Sequence, residues 1–249
     1  MIAFKLIFFV GLLAISNGQI PSHKLMRSTA DEIDTDALFH ALTVPTCIQK
    51  CINGLVHEVK EVLKFKGVFK SIEFLCLEYN SASECMERNS CPHLDILDVV
   101  TSGIKSLCIG KKQTFLRNNA QCIEANIDNS AQSCDRACNF VQSIADFTDN
   151  LHGKVGYARV LKDVGPVCFT AQCFLPCFRD SLNAKCSKAG GIFVDVILKP
   201  FYFLSEYIEI GGDAVKRFVA EKLPNTCQYL TKKSSLDAIR KQDGTESAL

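Results

Sequence analysis

Apolar residues recur three or four positions apart through the middle of the chain, as they do on the buried face of an α-helix. The first run of this kind comprises Ile48, Ile52, Leu55, Val59, Val62 and Leu63. Alternation with a period of two, which is typical of strands, is scarce. The pattern therefore predicts an all-α protein.

Further segments carry the same helical pattern. The second run comprises Leu94, Leu97, Thr101, Ile104 and Cys108. The third run comprises Cys134, Cys138, Val141, Ile144, Ala145 and Thr148. Asp213 is a candidate N-cap for a helix over 214–223, which Pro224 would stop.

The two ends of the chain differ from this middle part. Residues 1–18 are typical of a secretory signal peptide, with a basic Lys5, an apolar run of about ten residues and a cleavage point before Gln19. That run is too short to cross a bilayer, which needs roughly 20 residues. We expect residues 19–43 to form a flexible leader and residues 231–249 a polar tail.

The most apolar later segment, residues 191–210, is also not expected to span a membrane. Its charged or helix-breaking members are Asp195, Lys199, Pro200, Glu206 and Glu209. Charges at the centre of a bilayer are costly, so this segment is predicted to be buried in a secreted, extracellular protein.

The 14 cysteines are the most informative part of the composition. They are Cys47, Cys51, Cys76, Cys85, Cys91, Cys108, Cys122, Cys134, Cys138, Cys168, Cys173, Cys177, Cys186 and Cys227. An even number of cysteines in an exported chain predicts a disulfide framework of up to seven bridges. The Cys-x₂-Cys pairs of zinc sites are absent, so no metal is expected. The predicted fold is a disulfide-stapled helical bundle.

Cys-x₃-Cys pairs begin at Cys47, Cys134 and Cys173. Residues four apart share a helix face, so the two thiols of a pair should not bond each other, and we expect each to bind a different neighbouring element.

The cysteine spacing also suggests an internal duplication. The cysteines at 47, 51, 76, 85 and 91 have counterparts at 134, 138, 168, 177 and 186. Two related helical units are therefore predicted, over 44–140 and 141–230, with a seam near residue 130; chance similarity is the alternative. Equivalent cysteines should then pair equivalently.

Charge and motifs exclude several function classes. Removing residues 1–18 leaves 27 basic and 27 acidic side chains, because it takes away Lys5 and no acid. A balanced chain gives no indication of nucleic-acid binding. His93 and Asp95 stand two apart, unlike the adjacent pair of secreted phospholipases, and zinc-protease, serine-hydrolase and phosphate-loop motifs are absent. We therefore predict no catalytic, cofactor-binding or metal-binding residues.

Two surface features bear on ligands. The Ser102-Gly103 dipeptide could carry a glycosaminoglycan, but its place in the second run is better explained by a helix bend or close packing. The apolar cluster over 192–204 is the candidate lining of a lipid pocket, with Phe193, Ile197, Phe201 and Phe203 as its site residues, although aromatic residues at helical spacing more often belong to the core.

Several short sequence segments resemble those of a known family. They are Cys47-Ile-Gln-Lys-Cys51, Cys76-Leu-Glu-Tyr-Asn, Cys91-Pro, Thr101-Ser-Gly-Ile and Cys134-Asp-Arg-Ala-Cys138. Residues 47–140 resemble the chondroitin proteoglycan 4-type domain of nematode secreted proteins. The resemblance implies an extracellular, non-enzymatic helical domain whose partners are matrix components. The acidic Ser-Gly repeats of a proteoglycan are missing.

Two functions follow from these features. The first is a secreted structural or interaction protein of the extracellular matrix, with an extracellular protein or matrix component as its partner. The alternative is a secreted carrier of a small apolar ligand.

Overall fold

The fold is known from a computed structural model, which describes residues 35–63, 68–92, 98–109, 111–151 and 156–241. Within these ranges the chain is almost entirely helical and contains no strand, which confirms the predicted all-α class. The predicted signal peptide, residues 1–18, lies outside them.

The helices are numbered here in chain order. The first six are α1 (Thr35–Ala41), α2 (Thr46–Leu63), α3 (Val68–Arg88), α4 (Ser102–Cys108), α5 (Lys111–Asn118) and α6 (Ala120–Cys138). The next are α7 (Phe140–Asp149), α8 (Tyr157–Asp163), α9 (Gly165–Cys186), α10 (Ala189–Ile210), α11 (Gly212–Lys222) and α12 (Lys233–Arg240), with a 3₁₀ helix (Asn225–Thr231) between the last two.

The first apolar run, as far as Val59, lies on one face of α2, as predicted. Ile48, Ile52 and Leu55 are buried there, and α2 packs along α3. From α3, Leu75 and Tyr79 belong to the same core. The two helices thus form an antiparallel hairpin at the start of the bundle.

The third apolar run is interrupted where a continuous helical pattern had been expected. Asn139 adopts a left-handed conformation, with φ 52° and ψ 38°, and separates α6 from α7. Asparagine tolerates this region better than most residues. The apolar spacing continues across the break because both helices bury their faces in one core, so periodicity alone does not reveal the bend.

Two other helix starts differ from the sequence expectation. Helix α4 begins at Ser102 after a turn at Thr101, while Leu94 and Leu97 lie outside the described residues. Helix α11 begins at Gly212, so Asp213 lies in its first turn and makes no N-cap hydrogen bond. The predicted stop is confirmed, since α11 ends just before an extended residue that precedes Pro224.

The centre of the bundle is formed by α9, which packs against α6 and α10. A stacked ring pair joins α7 to α9, with the centroids of Phe140 and Phe174 4.8 Å apart, and Phe174 stacks on Phe178 within α9 at 5.8 Å. Helix α10 contains the apolar segment 191–210, and no helix in the described part of the chain is long and apolar enough to cross a membrane.

Both predicted flexible ends contribute a helix to the core. Within the predicted leader 19–43, α1 buries Leu38 and Phe39. Within the predicted tail 231–249, α12 buries Leu236 and Ile239. Each helix has at most eight residues, which is too short for a periodic pattern to distinguish it from a polar terminus.

All 14 cysteines are paired, in seven bridges, as the even count predicted. The pairs are Cys47–Cys91, Cys51–Cys85, Cys76–Cys108, Cys122–Cys186, Cys134–Cys177, Cys138–Cys173 and Cys168–Cys227. Their Cα–Cα distances lie between 5.0 and 5.7 Å, the normal range for a bridge between packed elements.

The expectation that a Cys-x₃-Cys pair binds two different elements is wrong for the pairs that begin at Cys134 and Cys173. Cys134 and Cys138 of α6 both bind α9, at Cys177 and Cys173. When two helices run antiparallel, positions i and i+4 of one face positions j and j−4 of the other. Two neighbouring thiols therefore reach the same partner helix and form two adjacent bridges.

The register proposed for the duplication is also wrong. It equates Cys134 with Cys47 and Cys186 with Cys91, so it requires a Cys134–Cys186 bridge, whereas Cys134 binds Cys177. Each set of two adjacent bridges, one at Cys47 and Cys51 and the other at Cys134 and Cys138, is nested because antiparallel helices impose that order. The seam near residue 130 falls inside α6, and three bridges join the segments 44–140 and 141–230. Their division into related units stays a prediction.

Candidate functional site

The four residues predicted to line a lipid pocket point to different places. Phe201 is 2% exposed and belongs to the core. Phe193 packs edge-on against Phe178 at 6.4 Å, and Ile197 is half-buried against the core. Phe203 is 40% exposed and lines a surface groove. Successive positions of α10 face different neighbours, so the apolar cluster over 192–204 does not form one pocket wall.

The groove that Phe203 lines is the best candidate site in the described part of the chain. It lies between α4, α5 and the middle of α10, and we call it the α4–α5–α10 groove. Its volume is about 600 Å³, which is typical of small-molecule sites. Its apolar lining consists of Val99, Ile109, Phe115, Ile192 and Phe203.

A close contact between helix backbones determines how α4 meets α10. A Cβ atom on Gly103 would lie 2.1 Å from the carbonyl oxygen of Val196, so only glycine permits this approach. The prediction of close packing at Ser102-Gly103 is thereby confirmed. Ser102 is 7% exposed, which leaves it inaccessible to a glycosyltransferase in the folded protein.

Positive charge surrounds the apolar lining. Besides Asp98, the charged residues of the groove are Lys105, Lys111, Lys112 and Lys199. The ammonium group of Lys105 lies 3.5 Å from the Asp98 carboxylate, and both groups are half-exposed or more. The Nζ atom of Lys199 lies 5.9 Å from the centroid of the Phe203 ring, a cation–π contact.

Lys112 belongs to an ion network that holds three helices together. Asp195 of α10 accepts hydrogen bonds from Lys112 of α5 and, at 3.4 Å, from Arg240 of α12. The hydroxyl of Tyr202 donates to Asp237 at 2.8 Å. Burial, and then this hydrogen bond, raise the pKa of Tyr202 above its ordinary value. The network positions α5 against α10 and so stabilises a wall of the groove.

Metal binding and thiol chemistry have no support in the described residues. No group of three histidine, cysteine, aspartate or glutamate side chains there could hold a metal ion, and no cysteine remains as a thiol. His93 and Asp95, compared above with a phospholipase pair, lie outside the described residues. The groove offers apolar surface and ammonium groups.

Of the residues that line the groove, the predicted 192–204 cluster contains Ile192 and Phe203 and none of the lysines. Lys111 and Lys199 are 88 positions apart in the chain and line one groove only through the fold, in which Lys112 of α5 bonds to Asp195 of α10. No short motif marks either lysine, and a balanced overall charge conceals a local excess. Only an alignment of related sequences or the fold itself could have brought them together.

The fold and its bridges define an all-α, disulfide-rich protein. A family model, chondroitin proteoglycan 4, matches residues 36–243, which is most of the chain. The chain belongs to the chondroitin proteoglycan 4 family, as the resemblance over 47–140 predicted, and the match extends through the second predicted unit. The match begins within α1 and ends just after α12. These are the two helices that lie within the predicted flexible leader and polar tail. No curated protein and no solved structure matches.

Proposed function

We propose that this protein is a secreted, non-enzymatic structural or interaction protein of the extracellular matrix. The observation that carries the proposal is the family match over residues 36–243, a region that contains every cysteine and all seven bridges. The family is of proteoglycan type and is not a known enzyme family. Disulfides persist in oxidising compartments, which is consistent with an extracellular location.

The bridges suit a protein that must keep its shape outside the cell. Each closes a loop of 32 to 64 residues. In the chain-entropy model, loops of this size stabilise the fold by about 4 kcal/mol per bridge. The helix surface displayed to a matrix partner would then be held rigid without a metal or a cofactor.

Within the matrix, we expect this chain to act as a protein component and not as a carrier of chondroitin at Ser102. Its single Ser-Gly dipeptide is buried against α10, and glycosyltransferases need an accessible hydroxyl. Attachment in an unfolded precursor would place a large polar chain inside the bundle and prevent α4 from docking.

The test is fractionation of cells that express the full chain with a C-terminal tag. We expect the tag in the medium and in a salt-resistant matrix fraction, with residues 1–18 absent from the N-terminal peptide. Chondroitinase treatment should leave the gel mobility of the protein unchanged. Retention of the tag in the cytosol, with reduced cysteines, would contradict the proposal.

A second candidate function is the carriage of a small apolar ligand, favoured by the α4–α5–α10 groove. Native mass spectrometry of the purified protein distinguishes the two functions, because a carrier should retain a bound lipid and a purely structural protein should not.

A further inference from the structure

The α4–α5–α10 groove carries more positive charge than the chain as a whole, whose formal net charge is +1. Four lysines line it against one carboxylate, that of Asp98. Lys105 and Lys112 each contact an acidic group. Lys111 and Lys199 contact no carboxylate among the described residues, so that part of the chain supplies no anionic partner for two ammonium groups at the groove.

The rest of the lining is hydrocarbon. Ile109 is 64% exposed, and Phe203 is 40% exposed. A sulfated polysaccharide would pair with the lysines but would bury these side chains against hydroxyl groups, which gains little. A neutral apolar ligand would fill the groove and leave the lysines unpaired. Only a ligand with both a hydrocarbon chain and an anionic group complements the whole surface.

The exposed apolar surface continues from the groove along α10. Phe203, Tyr207 and Ile210 are spaced by four and three positions, so they share one helix face, and all three are exposed. This stripe extends the apolar path beyond the groove in one direction. A ligand that follows it would therefore be long and narrow.

We propose that the α4–α5–α10 groove binds a single-chain lipid with an anionic head group, of the long-chain carboxylate class. The hydrocarbon chain lies against Phe115, Ile192 and Phe203, and the carboxylate is held by Lys111 and Lys199. This inference rests on the carrier function and specifies its ligand. It does not depend on the matrix function, which has its own test.

Ser102 adds an independent observation at the same place. It lines the groove, and its buried hydroxyl has no hydrogen-bond partner in the described part of the chain. An unsatisfied buried hydroxyl lowers stability, so its position at the wall of a ligand groove is informative. A bound carboxylate, or a water held beside it, could accept a hydrogen bond from this group after rotation of the side chain.

The concave shape favours a monomeric lipid over the surface of a bilayer. A groove of about 600 Å³ lies in the range of sites that enclose one small molecule. A flat membrane would contact the rim and the α10 stripe but would leave the floor at Ile192, which is 6% exposed, unfilled. Binding to vesicles is therefore an outcome that the experiment must separate from binding of a free lipid.

The experiment uses the full-length oxidised protein, secreted from cultured cells and freed of lipid by organic extraction. Binding is measured by calorimetry with monomeric oleate and, as an uncharged match of the same chain length, oleyl alcohol. Carbon-13 NMR of carboxyl-labelled oleate then reports the environment of the head group. We expect oleate to bind more tightly than oleyl alcohol, with a carboxyl resonance shifted from that of the free acid.

Two variants assign the site. Exchange of both Lys111 and Lys199 for glutamate should weaken oleate binding at least about tenfold and leave oleyl alcohol unaffected. Phe203→Gln should weaken the binding of both oleate and oleyl alcohol. The matched controls are Lys162→Glu, an exposed lysine on α8, and Phe169→Gln, a 66% exposed phenylalanine on α9 outside the groove. Circular dichroism and non-reducing electrophoresis establish that each variant is folded.

Three results would overturn the proposal. One is the absence of oleate binding by the folded wild-type protein. Another is oleate binding that the double lysine variant retains in full. The third is that the wild-type protein binds vesicles of anionic phospholipid, or heparin, but not monomeric oleate, and that the double lysine variant loses this binding. The matrix proposal would survive each of these results, since it is tested by fractionation.

Discussion

The carboxylate of Asp135 accepts a hydrogen bond from the backbone N–H of Val141 at 2.9 Å, across the break between α6 and α7. It thus satisfies one of the free N–H groups at the start of α7, at a position between the bridged cysteines Cys134 and Cys138. Asp135 itself is 5% exposed. The group that caps the start of α7 at this bend is therefore a buried carboxyl group.

Burial raises the pKa of Asp135 from 3.8 to about 6, against the opposing effect of its hydrogen bonds with the N–H groups of Val141 and Phe140. The folded state therefore binds a proton more tightly than the unfolded state. The stability that protonation contributes is present below about pH 4 and is lost as the pH rises through about 6.

We expect Asp135→Asn to remove this pH dependence. The amide oxygen can still accept from Val141, and no charge is buried. The variant should be more stable than the wild type at pH 7.5 by about 1–2 kcal/mol, and the difference should vanish near pH 4. Urea unfolding at several pH values measures it. Glu124→Gln, an exposed acid on the same helix, is the control. If Asp135→Asn is less stable at pH 7.5, the ionised carboxylate is favourable where it lies.

The close approach of α4 and α10 predicts a large effect for a single methyl group. Gly103→Ala would place a Cβ atom 2.1 Å from the carbonyl oxygen of Val196. This oxygen belongs to the backbone of α10, so it cannot move away from the methyl group by a change of rotamer. We expect a loss of about 1–3 kcal/mol in the free energy of unfolding.

Gly191→Ala is the matched control for that substitution. Its nearest neighbour would be a side-chain nitrogen of Asn183 at 3.8 Å, an ordinary contact. Since alanine favours a helix more than glycine does, the control should be neutral or stabilising by up to about 1 kcal/mol. Equal losses in both variants would show that the loss at Gly103 does not come from the contact with Val196.

A buried arginine holds the C-terminal helix in place. The guanidinium of Arg179, whose side chain is 7% exposed, donates to the carbonyl oxygens of Ala238, Ile239 and Lys241 at the end of α12. It also pairs with Asp180. A cation at this end of a helix satisfies free carbonyl groups and complements the helix dipole.

Arg179→Met should therefore release α12. We expect a loss of about 2–4 kcal/mol in stability, because buried carbonyls lose charged partners. Hydrogen exchange should become faster over residues 233–240 before it changes elsewhere. Arg117→Ala, which removes an ion pair with Glu73 that is more than half exposed, should cost about 1 kcal/mol or less. Unchanged exchange in α12 would contradict this role.

The bridges should differ in their rate of reduction, because a reductant must reach a sulfur atom. Cys168 and Cys227 are both almost fully buried, whereas Cys173 of the Cys138–Cys173 bridge is exposed. Under brief treatment of the native protein with a phosphine, followed by alkylation and peptide mapping, Cys173 should be labelled before Cys227. Early labelling of Cys227 would show that the 3₁₀ helix opens readily.

Much of the fold could be predicted from residue spacing. The face of α2, the end of α11 before Pro224 and the oxidation of all 14 cysteines follow from local chemistry. The bend at Asn139 and the two short terminal helices could not, because their apolar residues are held by partners that are remote in the chain. Of the candidate site, Phe203 was predicted, while Lys111 and Lys199 were not.

The sequence by itself determined the class of this protein. Apolar periodicity is a property of consecutive residues, and the cysteine count and the segments that resemble the family are read directly from the chain. The tertiary structure alone decided which thiols pair and which side chains share the α4–α5–α10 groove. Both depend on how helices pack across long stretches of sequence, as Gly103 and Val196 show, and the distances between helices are not encoded in local spacing.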